Sequence, residues 1–407
     1  MTQKTKRTIY IMLISQFLIF LGMSLIFPVE PYIRKEYHLT AFDMGMMSAL
    51  FALVQFAASP IAGRLSDRWG RKPMMVWGLV MFTVGEFIFA MGQNLFWFDF
   101  SRMIDGLSAA MFTPASMALA ADITTEQQRA KVIGWLSAAF SGGLILGPGL
   151  GGILANISYK FPFWIAGILG VISILVTVIW LPKDDEHDLK AHAQMAEEYR
   201  SASSWEQLKQ IMSPALMMLC VMILIAAFGL AGFESIYSLY VNQVHGFDLN
   251  QIATVLTLNG ILSLILQVFL FEWLVDKLKE VGLIRLTYFV AIIGTVMVIY
   301  LHHYWLVVFA TLLVFEGFDL VRPAITTLMT KLGRDNQGLL NGVNTSLTSV
   351  GNVFGPLLSG WLLDVNSLYP YWLVNVFLVI AFLITFSGST LFSTDRKIYQ
   401  CYFYFTK

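Results

Sequence analysis

Apolar residues run through this chain in twelve long blocks, broken by short stretches of charged and turn-forming residues. The blocks lie near 8–29, 43–63, 74–92, 97–121, 131–155, 161–181, 214–241, 250–275, 282–301, 304–330, 337–363 and 368–392. A helix that crosses a bilayer core needs about 20 consecutive apolar residues. The pattern therefore predicts an all-α membrane protein of twelve transmembrane helices. Pro182 to Ser213 interrupts it with Asp184-Asp185-Glu186 and Glu197-Glu198, the composition of a solvated linker, with a short surface helix expected around Trp205. The expected organisation is a six-helix bundle over 1–181, a linker over 182–213, a second six-helix bundle over 214–392 and a tail over 393–407. No small-residue cleavage site follows the first block, so it reads as a retained span and not a removed signal peptide.

A ten-residue pattern occurs once in each half. Gly143-x-x-x-Gly147-Pro148-x-x-Gly151-Gly152 lies in the fifth block, and Gly351-x-x-x-Gly355-Pro356-x-x-Ser359-Gly360 in the eleventh. Pro148 and Pro356 are 208 positions apart, and Pro114 and Pro323 are 209 apart. Two landmarks at almost one offset imply two pseudo-symmetric halves. Duplicated halves made of apolar helices that Gly and Pro interrupt point to a secondary transporter.

Composition strengthens the membrane reading. Hydrophobic residues are 57% of the chain and charged residues 13%, against roughly 45–50% and 25% in soluble domains. Net charge is zero, which gives no footprint for nucleic acid. Of the 26 Lys and Arg residues, Arg34, Lys35 and Lys160 fall on one side of the spans, and Arg102 and Arg322 fall within them. The other 21 share the side of the termini and the linker, which places both termini and the linker in the cytoplasm. Cys220 and Cys401 differ too much in setting to form a disulfide or a metal site, and no histidine lies well inside an apolar block. No metal and no cofactor are expected. The chain has neither a phosphate-binding G-x-x-x-x-G-K-[ST] loop nor a nucleophile–base constellation, so it is expected to use no ATP and to be no enzyme.

Between the second and third blocks stands Gly63-Arg64-Leu65-Ser66-Asp67-Arg68-Trp69-Gly70-Arg71-Lys72. Its glycines permit a tight turn, and Asp67 can face a helix N-terminus. This string resembles the signature loop of the major facilitator superfamily. Leu21-Gly22 followed by Pro28-Val29-Glu30-Pro31, and the Gly147-Pro148 string, resemble motifs of its twelve-span drug/proton antiporters. From Phe17 to Asp364 the chain is similar to the quinolone and multidrug efflux pumps of Gram-positive bacteria, including Glu234 to Tyr240 and Gly317 to Ile325. The resemblance implies the facilitator fold, a bacterial plasma membrane, and proton-driven export of amphipathic, often cationic or zwitterionic drugs by a monomer. Ser393 to Lys407 depart from that pattern; their aromatic end reads either as an interfacial anchor or as an accident of the reading frame.

Ionisable residues inside spans are costly and are functional candidates by default. They are Glu86, Arg102, Asp105, Glu234, Glu316, Asp319 and Arg322. Burial favours the neutral form of a carboxyl. The resemblance places the essential acidic pair for proton coupling at Glu234 and Asp319, and links Arg102 to proton transfer and gating. Asp105 and Arg322 stand beside these residues at i,i+3 and are taken with Arg102 as gating residues, a fixed ion pair being the alternative for each pair. Glu86 could also satisfy a backbone or hydroxyl partner between helices. Phe51, Gln55, Phe140, Tyr237, Tyr240 and Asn344 lie on spans expected to line a drug pocket, where aromatic faces attract cations. The expected function is proton-coupled multidrug efflux by alternating access. The rivals are a facilitator specific for one metabolite or nutrient, and a non-transporting membrane receptor or scaffold.

Overall fold

The computed structural model describes residues 3–181, 212–332 and 337–386, which are helical almost throughout, with no strand among them. The linker residues 182–211 and the tail expected over 393–407 lie outside the described residues. The helices are α1 Gln3–Ser24, α2 Glu30–Glu36, α3 Ala41–Trp69, α4 Arg71–Met91, α5 Leu95–Asp122, α6 Glu126–Ala155 and α7 Phe161–Trp180. There follow α8 Pro214–His245, α9 Leu249–Ile265, α10 Phe271–Tyr300, α11 Tyr304–Leu332, α12 Gln337–Val365 and α13 Tyr369–Phe386.

Among the described residues, ten helical runs are long and apolar enough to cross a membrane. One of them, Leu249–Tyr300, is 52 residues long, or about 78 Å of helix, against a bilayer core of about 30 Å. It holds two spans, which part at Lys279, where φ 61° and ψ 165° leave the helical region. The eleventh expected span is α12, whose Asn, Ser and Thr positions make it less apolar than the others.

Local signals set the helix ends. Thr40 Oγ1 accepts from the Asp43 N–H at 3.1 Å and the Asp43 carboxylate accepts from the Thr40 N–H at 2.8 Å, a reciprocal cap that starts α3. Gly70 stops α3 and starts α4 at φ 104°, a conformation that costs a glycine nothing. This turn presents Arg71 to Asp67 (2.5 Å), Ser66 (3.1 Å) and Asp122 at the end of α5 (3.3 Å). Asp67 therefore pairs with the arginine that opens α4. Lys72 donates to the carbonyls of Val178 and Leu181 at the end of α7, where the helix dipole favours a cation.

The described chain divides into two compact units. Residues 3–181 with Val241–Gly260 form the first, and 212–240 with the described residues beyond 260 form the second. In the first unit α4 packs against α5 and α7, α3 against α5, and α1 against α6. In the second, α10 packs against α11. Beyond the buried Pro162 and Phe163 of its first turn, the face that α7 buries holds Ala166, Gly167, Gly170, Ser173 and Thr177, while Ile168, Ile172, Leu175 and Ile179 are exposed. Small residues inward and large apolar residues outward is the distribution expected when lipid surrounds the bundle.

The repeated glycine motif does the same task twice. A Cβ added at Gly143 would stand 2.6 Å from the Phe17 carbonyl of α1, and one at Gly151 2.7 Å from that of Leu25. Gly147, between them, meets Ser24 and the Leu21 carbonyl. In the second unit Gly351 meets Phe228 N at 2.6 Å and Gly355 meets the Phe228 carbonyl of α8 at 2.8 Å. So α6 lies on α1 as α12 lies on α8, backbone to backbone, through glycines 208 positions apart.

Candidate functional site

Three acids and one base of the second unit form one cluster. Glu316, Asp319 and Arg322 recur every third residue along α11 and so share a face. Glu234 of α8 lies in the electrostatic field of Asp319 and Arg322, and Glu316 in that of Asp319. Glu316 is buried, and neither of its carboxyl oxygens has a hydrogen-bond partner. Glu234 and Asp319 are half-buried, and Arg322 is exposed. The cluster is thus enclosed at Glu316 and open at Arg322. One guanidinium cannot neutralise three carboxylates, so the cluster suits either protons or an organic cation.

Backbone irregularities meet at this place. Pro323 has no N–H to offer the carbonyl of Asp319, four residues earlier, so the helix is perturbed where the acid stands. Ser263 is an electrostatic neighbour of Asp319, and its hydroxyl accepts from Gln267 Nε2 at 2.9 Å. Between α9 and α10 the helix widens into a π turn over Leu266–Leu270, a feature frequent at functional sites. Sequence reasoning missed Ser263 and Gln267. Their one signal is a pair of polar residues four apart in an otherwise apolar run.

The expected aromatic residues take different places. Tyr237 and Tyr240 are fully buried within the second unit. Tyr371 stacks on Phe233 at 4.6 Å and lies 4.3 Å from Tyr240, and Phe315 meets Tyr237 edge-on at 5.6 Å. Their faces are covered by one another, beside Glu234 and Glu316 in sequence. Asn344 of α12 donates to Thr326 (3.2 Å), which donates to the Arg322 carbonyl (3.0 Å), so it joins the edge of the acidic cluster.

In the first unit Phe51 is buried and Gln55, one turn on, is half-buried. The Phe51 carbonyl sits against Gly106 of α5. Phe140 is 37% exposed, with its ring 4.2 Å from that of Phe20. Arg102 Nη2 lies 2.7 Å from Asp105 Oδ2, both side chains buried, and the guanidinium stands 4.8 Å over the Phe89 ring. Pro28 and Pro31 are buried at the turn into α2. Gly63 and Arg68 make no close packing: nothing lies within 4 Å of a Cβ added at Gly63, and Arg68 is exposed.

The family model of the Major Facilitator Superfamily matches residues 12–347. The chain belongs to the major facilitator superfamily. It is 38% identical over 383 residues to multidrug resistance protein 1 of Bacillus subtilis (strain 168), covering 94% of this chain and 96% of that protein. To quinolone resistance protein NorA of Staphylococcus aureus (strain MRSA252) it is 34% identical over 367 residues, 90% of this chain and 92% of that protein. The solved inward-facing, unoccupied structure of a bacterial homolog of the human lysosomal transporter Spinster superposes with a TM-score of 0.76 at 15% identity, covering 97% of this chain and 99% of that one. The human organic anion transporter MFSD10 gives 0.66 at 18% identity, covering 95% and 100%. At such identities the superpositions show the fold alone: a multi-pass facilitator of two pseudo-symmetric six-helix bundles. The superfamily is one of membrane transporters.

Proposed function

We propose that this facilitator exports amphipathic, often cationic or zwitterionic drugs in exchange for protons, by alternating access. The observation that carries the reading is the pair Glu234 and Asp319 beside Arg322, with Glu316 next to Asp319, more acid than the one base can neutralise. A bare surplus carboxylate inside a membrane protein is costly and calls for a proton or a cationic ligand. Glu234 and Asp319 bind one or the other: an organic cation from the cytoplasm takes the ionised acids, and protons from outside displace it. The multidrug and quinolone resistance proteins among the relatives support drugs as the substrate class. On this reading the protein works as a monomer in the bacterial plasma membrane with both termini in the cytoplasm, as the Lys and Arg distribution suggests. The test is ethidium efflux from cells expressing the chain. Efflux that a protonophore stops supports the proposal; efflux indifferent to the protonophore, or none, refutes it.

A further inference from the structure

A second group of ionisable side chains lies wholly inside the first unit. Glu86 of α4 is 0% exposed, and Arg102 and Asp105 of α5 are each 3% exposed. Arg102 forms an ion pair with Asp105, Nη2 to Oδ2 at 2.7 Å, and its guanidinium stands over the Phe89 ring. Neither oxygen of the Glu86 carboxyl has a hydrogen-bond partner. On the α1 side the carboxyl abuts Gly22, where an added Cβ would stand 2.8 Å from Oε1.

The groups that could set the charge of Glu86 are few. Asp105 and Arg102, both from α5, are its electrostatic neighbours. The segment Phe161–Trp180 of α7 contains no charged residue. The charges of α1 are Lys4, Lys6 and Arg7, at the end far from Gly22. Those of α3 are Asp43 near its start and Arg64, Asp67 and Arg68 in its last turns.

Charge accounting then decides the ionisation state. If Glu86 were ionised, one guanidinium would face two carboxylates, and a net negative charge would be left in the buried interior of the unit. Proteins avoid that arrangement, because an unpaired buried charge is far more costly than a buried neutral acid. With a proton on Glu86 the group sums to zero. We propose that Glu86 is a proton-binding site of the first unit, kept loaded because Arg102 is held by Asp105. Its ligand is the proton, and the Arg102–Asp105 ion pair is the element that controls it. When Arg102 leaves Asp105 for Glu86, the proton departs from the Glu86 carboxyl to water. This site stands apart from Glu234 and Asp319 and does not require them to carry protons.

Infrared difference spectroscopy of the purified full-length protein at neutral pH tests it without transport. The wild type is expected to show the C=O stretch of a protonated carboxyl that is lost in Glu86→Gln and retained in the double variant Glu234→Gln/Asp319→Asn. In Asp105→Asn the freed Arg102 is expected to turn to Glu86, and the same band should vanish while total carboxylate absorption stays level, the Glu86 carboxylate replacing that of Asp105. Identical carboxyl bands in wild type and Glu86→Gln overturn the proposal, as does a Glu86 band that Asp105→Asn leaves untouched. Failure of Glu86→Gln to fold also overturns it, because glutamine keeps the shape of the neutral acid and removes only the ability to ionise.

Discussion

Gly147→Ala is the smallest change that probes how α6 is held to α1. The new Cβ would overlap Ser24 Oγ and stand 2.8 Å from the Leu21 carbonyl oxygen, where ordinary contacts lie at 3.4–4 Å. Ser24 cannot simply turn aside, because its hydroxyl also bonds the Gly143 carbonyl across the helices at 3.1 Å. The carbonyl is backbone, so α1 and α6 must part by about 0.6 Å or more at this level. Gly143 and Gly151, one turn away on either side, are in contacts at least as tight, so the parting cannot stay local. Overpacking of this kind costs about 1–3 kcal/mol, and the three further carbons of Gly147→Leu should reach the top of that range or exceed it. Strain of about 1.4 kcal/mol that fell on one transport state alone would shift its population tenfold. Gly134, on the same helix, is the internal control, because nothing lies within 4 Å of a Cβ built there. Gly134→Ala should be neutral or slightly stabilising, since alanine suits a helix better by about 1 kcal/mol. The assays are the apparent melting midpoint of detergent-purified protein and ethidium efflux from matched expression levels. If Gly147→Leu melts and transports like Gly134→Ala, the close-packing account of the motif is wrong.

Asp319→Asn should abolish proton-coupled efflux while the protein still elutes as a folded species; wild-type rates would remove Asp319 from the coupling role. Glu234→Gln should weaken export of ethidium or tetraphenylphosphonium by tenfold or more relative to a fluoroquinolone, because only the cations lose a charged partner worth about 1.5–3 kcal/mol. Equal losses for all substrates in that comparison would assign Glu234 to coupling alone. Arg102→Ala should destabilise the first unit by about 3–5 kcal/mol, since it strands Asp105 in the interior. A wild-type melting midpoint for Arg102→Ala would show that the pair carries no structural weight.

The spans were legible because a bilayer imposes a length on every helix, and twelve apolar blocks satisfy it. Helix ends were less so. Residues 8–29 read as one span, whereas α1 begins at Gln3 and ends at Ser24, and the chain turns before α2 opens at Glu30. Long charged side chains such as Lys4 and Arg7 can ride on a helix beyond the apolar core, so charge does not mark where the helix begins. The acids of the site were legible because burying them is expensive. Ser263 and Gln267 were not, since a lone hydroxyl or amide in a span can satisfy itself locally and gives little warning. The packing of Tyr237 and Tyr240 was out of reach for another reason. Among 32 Phe and 15 Tyr, which ring faces a neighbouring helix and which an open space depends on the rotation of each helix, and apolar composition leaves that free.

The duplication also separates what is mechanical from what is functional. Arg71 opens the third span and pairs with Asp122 at the end of the fourth. In the second unit the residues 209 positions on are Glu280 and Lys331, and they pair as well, with acid and base exchanged. An ion pair stays attractive when its signs are swapped, so this link can invert its chemistry and keep its place. The glycine contacts cannot invert, because only a missing side chain admits a backbone so close, and there the residue itself recurs. The ionisable clusters obey neither rule. At the same offset Glu86, Arg102 and Asp105 correspond to Thr295, Thr311 and Val314, while Asp319 and Arg322 correspond to Ala110 and Thr113. Each unit thus carries its clustered ionisable residues at positions where its twin carries none. A charge that merely held helices together would gain from repetition as Arg71 and Glu280 do. Charges that escape the repeat are tied to a task that the two halves do not share.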